Sequence, residues 1–319
     1  MGMLGVNKRG KNNKIAIQKD AAAISALQKL RSFLDAKEPG LVYFLVRTWK
    51  NQGKAITYKE LREAIIAGEI SADYLEQWRQ DYAKLVVAKL EPAWREAMET
   101  AANELLSRFP DFNFDPMGDG VLSWTETRAA DFITNSTNTQ IEGLRAVVRR
   151  AATLEDMNVD QLARAIRPMV GLTKQQGIAN LNYFTKLLES GVSEARATDL
   201  AIRYSAKQHR YRGYNIARTE LGFAYNQGSY EGIKQAQAAG YMGEMVKIWC
   251  TADDERTCEI CGGLEGKQIA MDEDFGFNTK LATSANPTIR RVPPAHPSCR
   301  CTVMYKEISP PIYQPNRNK

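Results

Sequence analysis

The sequence contains Cys258-Glu-Ile-Cys261 and, after a long intervening segment, His296-Pro-Ser-Cys299-Arg-Cys301. A CxxC turn places two thiolates on one side of a tight loop, at about the separation that tetrahedral zinc requires. His296 and Cys299 have the same spacing as the first pair and can supply the other two ligands. We therefore predict a Zn2+ site with Cys258, Cys261, His296 and Cys299 as its ligands.

The segment contains one more thiol than the site needs, so the identity of the fourth ligand stays undecided, because Cys301 could replace Cys299. The matching spacing favours Cys299, and Cys250 is predicted to be a buried strand residue. The five cysteines could instead be ordinary thiols, or the CxxC pair a redox pair. Redox pairs usually open a helix in a βαβ unit, whereas here Gly262-Gly263 indicate a turn. The pattern therefore favours metal binding.

A catalytic zinc would require an open coordination position and a nearby general base. Nucleobase deaminases carry H-x-E followed by P-C-x-x-C. Here the cysteine pair precedes the histidine, and Pro297-Ser298 follows His296, so the catalytic glutamate is missing from this motif. We interpret the nearby Asp253-Asp-Glu255 as a solvated acidic turn. A structural zinc and no catalytic residue are therefore predicted.

The whole chain has the composition of a globular protein of about two domains, with 319 residues, 44% of them hydrophobic and 25% charged. Its 43 Lys and Arg against 37 Asp and Glu give a net charge of +6, which permits nucleic-acid contact without requiring it. All five cysteines lie between Cys250 and Cys301, unlike the scattered disulfides of a secreted fold. No apolar stretch is long enough to span a bilayer, so we expect no membrane contact. We expect the protein to be kept in a reducing cytosol, where its thiols stay available to a metal.

The first third of the chain has a helical pattern. Asp20 is a plausible N-cap for a helix that Pro39-Gly40 should end. Thr57-Tyr-Lys-Glu60 is a capping box that opens a second helix. Ser71 caps a third, which Pro92 should kink or restart.

The rest of the chain continues as helices and then changes character. Further helices are predicted over residues 131–152, 158–169, 174–190, 193–204 and 209–240. Strand patterns follow over 246–250, 263–270 and 301–305. The predicted fold class is therefore mainly α with a small C-terminal α+β zinc-binding module.

These patterns divide the chain into six predicted parts. They are a flexible basic arm (1–19), an N-terminal helical region (20–110), a linker rich in Pro, Asp, Asn and Gly (111–120), a second helical region (121–241), a β-containing Cys/His zinc module (242–308) and an extended tail (309–319).

Ile216-Ala-Arg-Thr-Glu220 lies in the last predicted helix, with Asn226 further along. In one interpretation, Arg218 and Glu220 form local ion pairs on a surface helix. In the other, both point inward as a structural brace between this helix and the zinc module. The pattern alone favours the surface helix.

Taken together, these residues resemble the phage Mu F-like minor head proteins, also called phage head morphogenesis proteins. The resemblance covers about residues 130–306 and is absent from the first 120. The chain departs from the commonest family pattern in the segment from Met271 to Arg291, and we interpret this segment as an insertion. The ordered series that carries it is Ile216-Ala-Arg-Thr-Glu220, Asn226, Trp249, Asp254, Cys258-x-x-Cys261, Leu264-x-Gly266 and Pro294-x-His296-Pro-x-Cys299-Arg-Cys301.

The resemblance implies a virion structural protein of a tailed phage or prophage, and it implies no reaction. Family members are minor head components encoded beside the portal that act in procapsid assembly, so portal, scaffold or capsid proteins are the expected partners. Some associate with DNA, and the basic arm, with Lys8, Arg9, Lys11 and Lys14, could neutralise phosphates. The expected locations are the virion and, during assembly, the host cytoplasm.

Two other classes of function compete with this one. A zinc-dependent nuclease or hydrolase acting on nucleic acid would need another His or carboxylate to complete an open metal site, and the sequence motifs show none. A plain DNA-binding protein would rely on the basic arm. A histidine-based catalytic triad would have to use His209, which lies in a basic stretch, Lys207–Arg212, that we interpret as a solvated helix start.

Overall fold

The computed structural model describes residues 21–154, 157–252, 254, 256–276 and 289–310. The predicted basic arm at 1–19 and most of the predicted tail, 311–319, lie outside the described residues. The described part is mainly helical with a small sheet near its C-terminal end, as the sequence predicted. Its helices are α1 (Ala21–Ala55), α2 (Tyr58–Ala67), α3 (Asp73–Leu85), α4 (Glu91–Leu106), α5 (Asp119–Ala152), α6 (Val159–Ile166), α7 (Lys174–Glu189), α8 (Glu194–Ala238) and α9 (Glu259–Gly262).

Helix α1 continues past the predicted stop at Pro39-Gly40 and ends only at Ala55. Pro39 and Gly40 are both exposed, so the backbone bond that proline removes is lost on the solvent side. Leu34 before them and Leu41 after them are buried on the same side of the helix. Packing of that face keeps the two halves in one helix, and the predicted termination was wrong.

The prediction that Ser71 caps α3 was wrong by one residue, because the N-cap is Ala72 and it makes no side-chain capping bond, whereas the capping box predicted at Thr57 is confirmed. Thr57 accepts a hydrogen bond from the Glu60 amide, and the Glu60 carboxylate accepts one from the Thr57 amide at 2.7 Å. Thr173 and Gln176 form the same capping box at the start of α7. Each box satisfies backbone donors that the first helical turn leaves free, which fixes where the helix begins.

The restart at Pro92 is also confirmed. A π-helical turn over Val86–Leu90 separates α3 from α4, and Pro92 lies in the first turn of α4, where its missing N–H costs nothing. Helix α5 begins at Asp119, before the predicted end of the linker at residue 120. The division of the chain into domains at that linker stays a prediction.

Helix α8 is continuous, although the sequence predicted two helices with a boundary between residues 204 and 209. Ser205 and His209 within the supposed boundary are buried, and both hydrogen-bond carbonyl groups of the segment that follows α6. The interpretation of Lys207–Arg212 as a solvated helix start was therefore wrong for His209 and Arg212, which face the core. With 45 residues, α8 is about 67 Å long.

Three groups of buried apolar side chains form the core. The first joins α1, α4, α5 and α8, and the second joins α2, α5, α6, α7 and the start of α8. The third lies between the end of α8 and the sheet and includes Cys261, Cys299 and Cys301. Helix α8 contributes to all three groups, so it connects the helical body with the cysteine-rich segment.

The sheet consists of three antiparallel strands in the order β2-β1-β5, which are Gln268–Ala270, Glu244–Cys250 and Thr302–Ser309. Two further strands, β3 (Phe275–Gly276) and β4 (Ile289–Arg290), form a separate antiparallel pair between β2 and β5 in the chain. Cys250 is 2% exposed in the central strand β1, which confirms its prediction as a buried strand residue. In the described part of the chain, we find no helix with the length and apolar character of a membrane span.

Candidate metal centre

The first cysteine pair is held by a single helical turn. Cys258 is the N-cap of α9, and its Sγ accepts a hydrogen bond from the Cys261 amide at 3.4 Å. The Gly262 amide donates to the Cys258 carbonyl at 2.8 Å. These bonds turn the backbone so that both sulfur atoms lie on one side of it.

His296 presents its Nε2 atom to this pair. Nε2 lies 3.1 Å from the Cys258 Sγ and 3.2 Å from the Cys261 Sγ. The Nδ1 atom lies 2.9 Å from the Pro297 carbonyl oxygen. A carbonyl can only accept, so Nδ1 carries the proton and the Nε2 lone pair faces the sulfurs, as in a metal-binding imidazole.

Cys299 and Cys301 complete the cluster from the other side. The potential ligand atoms form two overlapping triads, Cys258–Cys261–His296 and Cys261–Cys299–Cys301, and within each triad the atoms lie within 4.8 Å of one another. Cys261 belongs to both triads, and its Sγ is 3.7 Å from that of Cys299. The structure thus brings together all five residues that the sequence singled out.

The spacing and chemistry of these atoms fit a zinc ion. Tetrahedral zinc with bonds of about 2.3 Å to sulfur and 2.0 Å to nitrogen separates two sulfurs by about 3.8 Å and sulfur from nitrogen by about 3.5 Å. The separation of 3.7 Å between sulfurs matches, and the Nε2–sulfur distances of 3.1 and 3.2 Å are slightly shorter. Cysteine and histidine together are the donor set that zinc prefers.

The electrostatics also favour a bound cation. Hydrogen bonding to the Cys299 and Cys301 sulfurs, together with burial, raises the pKa of Cys261. Hydrogen bonding from Cys261 lowers the pKa of Cys299 well below its ordinary value. Neighbouring buried thiolates repel one another, so this group cannot ionise fully without a positive charge between its members.

Helix α8 positions the second half of the cluster. Ser298, between His296 and Cys299, has a φ of 60°, a left-handed conformation that is unfavourable for a non-glycine residue. Two bonds hold it there: its amide donates to the Thr219 hydroxyl at 2.8 Å, and its hydroxyl donates to the Asn215 side chain at 2.8 Å. The helix therefore fixes the turn that carries the ligands.

A second contact lies two turns further along α8. The Asn226 amide group donates to the Cys301 carbonyl at 3.4 Å, and its oxygen accepts from the Thr302 hydroxyl at 2.9 Å. Asn226 was part of the sequence motif, but Asn215 and Thr219 were missed. Their spacing of four residues, with Asn226 seven residues after Thr219, is a helical pattern of small polar residues that could have indicated this face.

The predicted brace of Arg218 and Glu220 has different partners. Arg218 donates two hydrogen bonds to Glu38 of α1, at 2.6 and 2.8 Å, and Glu38 is 3% exposed. Glu220 accepts both hydrogen bonds of a bidentate pair with Arg128 of α5. Both pairs join helix to helix, whereas Thr219 between them contacts the Cys/His segment. These partners differ from the local ion pairs of a surface helix that the pattern favoured, and the brace towards the metal module stays a prediction.

Asp254 lies beside the cluster, but its carboxylate forms an ion pair with Arg300. The Arg300 guanidinium donates to both of its carboxylate oxygens at 2.6 Å. Hydrogen bonding by Arg300 lowers the pKa of Asp254 to about 2. A carboxylate held in this way is a poor general base, and Asp253 and Glu255 lie outside the described residues.

The open space at the cluster is small. A cavity of about 30 Å³ is lined by the four cysteines of the cluster, His296 and their immediate neighbours. That volume suits a metal ion or one or two water molecules. It leaves no room for a nucleotide next to the sulfurs.

Comparison with known proteins supports the family suggested by the motifs. The family model described as Phage Mu protein F like protein matches residues 155–304. The matched segment contains α6, α7, α8 and the whole Cys/His cluster, whereas α1 to α5 precede it. Comparisons with curated proteins and with solved structures give no significant match.

Proposed function

We propose that this chain, whose residues 155–304 belong to the Phage Mu protein F like family, is a minor head protein of a tailed phage or prophage. It would act in procapsid assembly beside the portal, with portal, scaffold or capsid proteins as partners. The family match carries this proposal, because the family is one of head morphogenesis proteins. The proposed locations are the virion and, during assembly, the host cytoplasm.

The Cys/His cluster is proposed to hold one structural Zn2+ through Cys258, Cys261, His296 and Cys299, with Cys301 as the alternative to Cys299. When bound, zinc would neutralise the thiolates and cross-link α9 to the segment before β5. The sheet next to it has short strands and a limited apolar core, and small modules of this kind commonly depend on a metal for stability. The small cavity and the engaged Asp254 favour a structural ion over a catalytic one.

Metal analysis tests the zinc assignment. Full-length protein purified under reducing conditions should contain about one zinc per chain. Cys258→Ser should lose most of it and expose the C-terminal module to protease. Cys250→Ser is the matched control, because Cys250 is also a buried thiol but lies in β1 outside both triads.

The same measurement identifies the fourth ligand. If Cys299 is the ligand, Cys299→Ser loses zinc and Cys301→Ser keeps it, and the reverse result assigns Cys301. Metal-free wild-type protein that keeps the melting temperature of the purified sample would refute a structural zinc.

Deletion of the gene from its phage or prophage tests the role in assembly. The expected result is a lysate in which electron microscopy shows aberrant or fewer mature heads, and complementation with the wild-type gene should restore them. Mass spectrometry of purified wild-type heads should detect the protein. Normal heads without the protein would overturn the proposal.

The N-terminal parts complete the proposed arrangement. The helical region over residues 20–110 would contact the portal or scaffold, and the basic arm would contact DNA. Co-expression of the chain with the portal protein of the same genome should give a complex on size-exclusion chromatography. Removing residues 1–19 should leave that complex intact.

A zinc-dependent nuclease or hydrolase is the competing proposal. In the described residues, neither triad contains a carboxylate, and the adjacent Asp254 binds Arg300. Plasmid cleavage by the purified protein that disappears in a folded His296→Ala variant would favour the nuclease over the assembly protein.

A further inference from the structure

Helices α1 and α8 share a surface to which neither of them contributes an acidic residue. Residues 39–59, which cover the second part of α1 and the start of α2, contain no Asp or Glu, and neither do residues 200–219 of α8. These two segments lie side by side and antiparallel, because Trp49 stacks on His209 and Gly213 packs against Val42. The cations of the two segments therefore lie on neighbouring helices, and neither segment places a carboxylate between them.

The exposed residues of each segment form a stripe. On α1 the stripe is Tyr43, Arg47, Lys50 and Lys54, and on α8 it is Arg203, Lys207, Arg210 and Tyr214. Spacings of three and four residues place the members of each stripe on one helix face. Lys50, Lys54 and Arg210 line one shared groove of about 470 Å³ between the helices, so both stripes border the same surface.

Most of these cations have no acidic partner. Arg203 pairs with Asp199 at 3.2 Å. Within the residues that the structure describes, no ion pair is formed by Arg47, Lys50, Lys54, Lys207 or Arg210. We call these five residues the cationic face. Five unpaired charges on a patch about 10 Å long, the length of residues 47–54 of α1, create a local positive potential that an anionic partner would relieve.

We propose that the cationic face binds the phosphate backbone of nucleic acid. Lysine is depleted from protein–protein interfaces, yet three of the five cations are lysines. Duplex DNA carries one charge per about 1.7 Å of axis, so a patch of this length can contact several phosphates at once.

Exposed tyrosines at the edge of the face strengthen this assignment. Tyr43, Tyr211 and Tyr214 are 58%, 64% and 44% exposed. Aromatic rings beside cations are the usual platform for unpaired bases. Three of the five cations lie in α1, outside the segment that matches the family model. The inference rests on the proposed function in one respect, the contact with DNA, and adds to it a site on the helical body that depends neither on the basic arm nor on the metal site.

Charge reversal in the full-length protein tests the proposal. The face variant is Lys50→Glu/Lys207→Glu/Arg210→Glu. The matched control is Arg145→Glu/Arg149→Glu/Lys186→Glu, which reverses three exposed cations on α5 and α7. Each triple variant changes the net charge by 3 × 2 = 6, from +6 to 0, so only the position of the change differs.

Fluorescence anisotropy with a labelled duplex and a labelled single strand, each about 20 nucleotides long, gives affinity as a function of salt. The face variant should bind at least about tenfold more weakly at about 0.1 M salt, and its log–log salt slope should fall by roughly 2 to 3. The control should stay within about threefold of wild type. Tyr211→Ala/Tyr214→Ala should weaken single-strand binding more than duplex binding.

Three results would overturn the proposal. The face variant could bind as tightly as wild type, which would place the contact elsewhere. The control could lose as much affinity, which would show that net charge alone governs binding. Polyglutamate of equal charge could bind as tightly as the oligonucleotides, which would assign the face to an acidic protein. Zinc content and melting temperature of the same samples show whether each variant folds and keep this test separate from the metal proposal.

Discussion

Gly228→Ala should destabilise the protein, although alanine is the better helix former. Gly228 lies on α8 where the helix crosses α4, and a β-carbon there would meet the Met98 Cα at 2.2 Å and the Met98 carbonyl oxygen at 2.4 Å. Both are backbone atoms and cannot rotate away. To reach an ordinary contact of 3.4 Å, the two helices would have to separate by about 3.4 − 2.2 = 1.2 Å.

The magnitude follows from two opposing terms. Alanine in place of glycine inside a helix stabilises by about 1 kcal/mol. Overpacking costs typically 1–3 kcal/mol, and a clash with backbone belongs at the upper end of that range, at about 3 kcal/mol. We therefore expect a net loss of about 2 kcal/mol, which lowers the melting temperature by about 4–8 °C at roughly 2–4 °C per kcal/mol.

Gly40→Ala is the matched control. Gly40 lies inside α1, and a β-carbon there would have no atom within 4 Å. Only the helix-propensity term remains, so this variant should gain about 1 kcal/mol. Melting followed by circular dichroism compares the two. If Gly228→Ala melts at or above the wild-type temperature, the close approach of α8 and α4 is not what the structure indicates.

Two further predictions concern pH. The carboxyl group of Asp254 should titrate in carbon-detected NMR with a pKa of about 2, and Arg300→Met should raise that pKa towards the ordinary value of 3.8. Because the pKa is lowered in the folded state, the pair stabilises the protein above about pH 4 and loses that contribution as pH falls towards 2; an unchanged pKa in Arg300→Met would contradict the pairing. Burial lowers the pKa of His209 from 6.5 to about 4, so the free energy of unfolding should decrease as pH falls through that interval. Urea titrations at about pH 7 and pH 5 should show a smaller decrease for His209→Gln, and an equal decrease would place the acid sensitivity elsewhere.

Features encoded within a few residues were predictable from the sequence. The capping box at Thr57 requires only two side chains three positions apart, and it forms as expected. The CxxC turn is equally local, since Cys258 caps its own short helix. The match of residues 155–304 to the family model was also predictable, because an ordered series of motifs carries more information than any one of them.

Features that depend on distant residues were not predictable. Pro39 does not end α1, because buried neighbours on both sides hold the helix together against a local breaking signal. The partners of Arg218 and Glu220 are Glu38 and Arg128, which are 180 and 92 residues away in the sequence. No spacing rule within one helix could have indicated these pairs.

The cationic face illustrates the same limit. Its residues come from two segments that are far apart in the chain, and each segment alone reads as an ordinary polar helix surface. The pattern becomes meaningful only when α1 and α8 are placed side by side.

The unbroken length of α8 has a consequence for how this protein can vary. Inserting one residue between Arg210 and Asn226 would turn everything beyond it by about 100° and advance it by about 1.5 Å. Asn226 would then point away from Thr302, and the hydrogen bond that joins α8 to the Cys/His segment there would be lost. The 16 intervening steps span about 24 Å, so one continuous helix sets both the distance and the angle between the cationic face and the contact of Asn226 with the Cys/His segment. A substitution along this stretch changes one contact at a time, whereas a change in its length shifts every contact beyond the insertion.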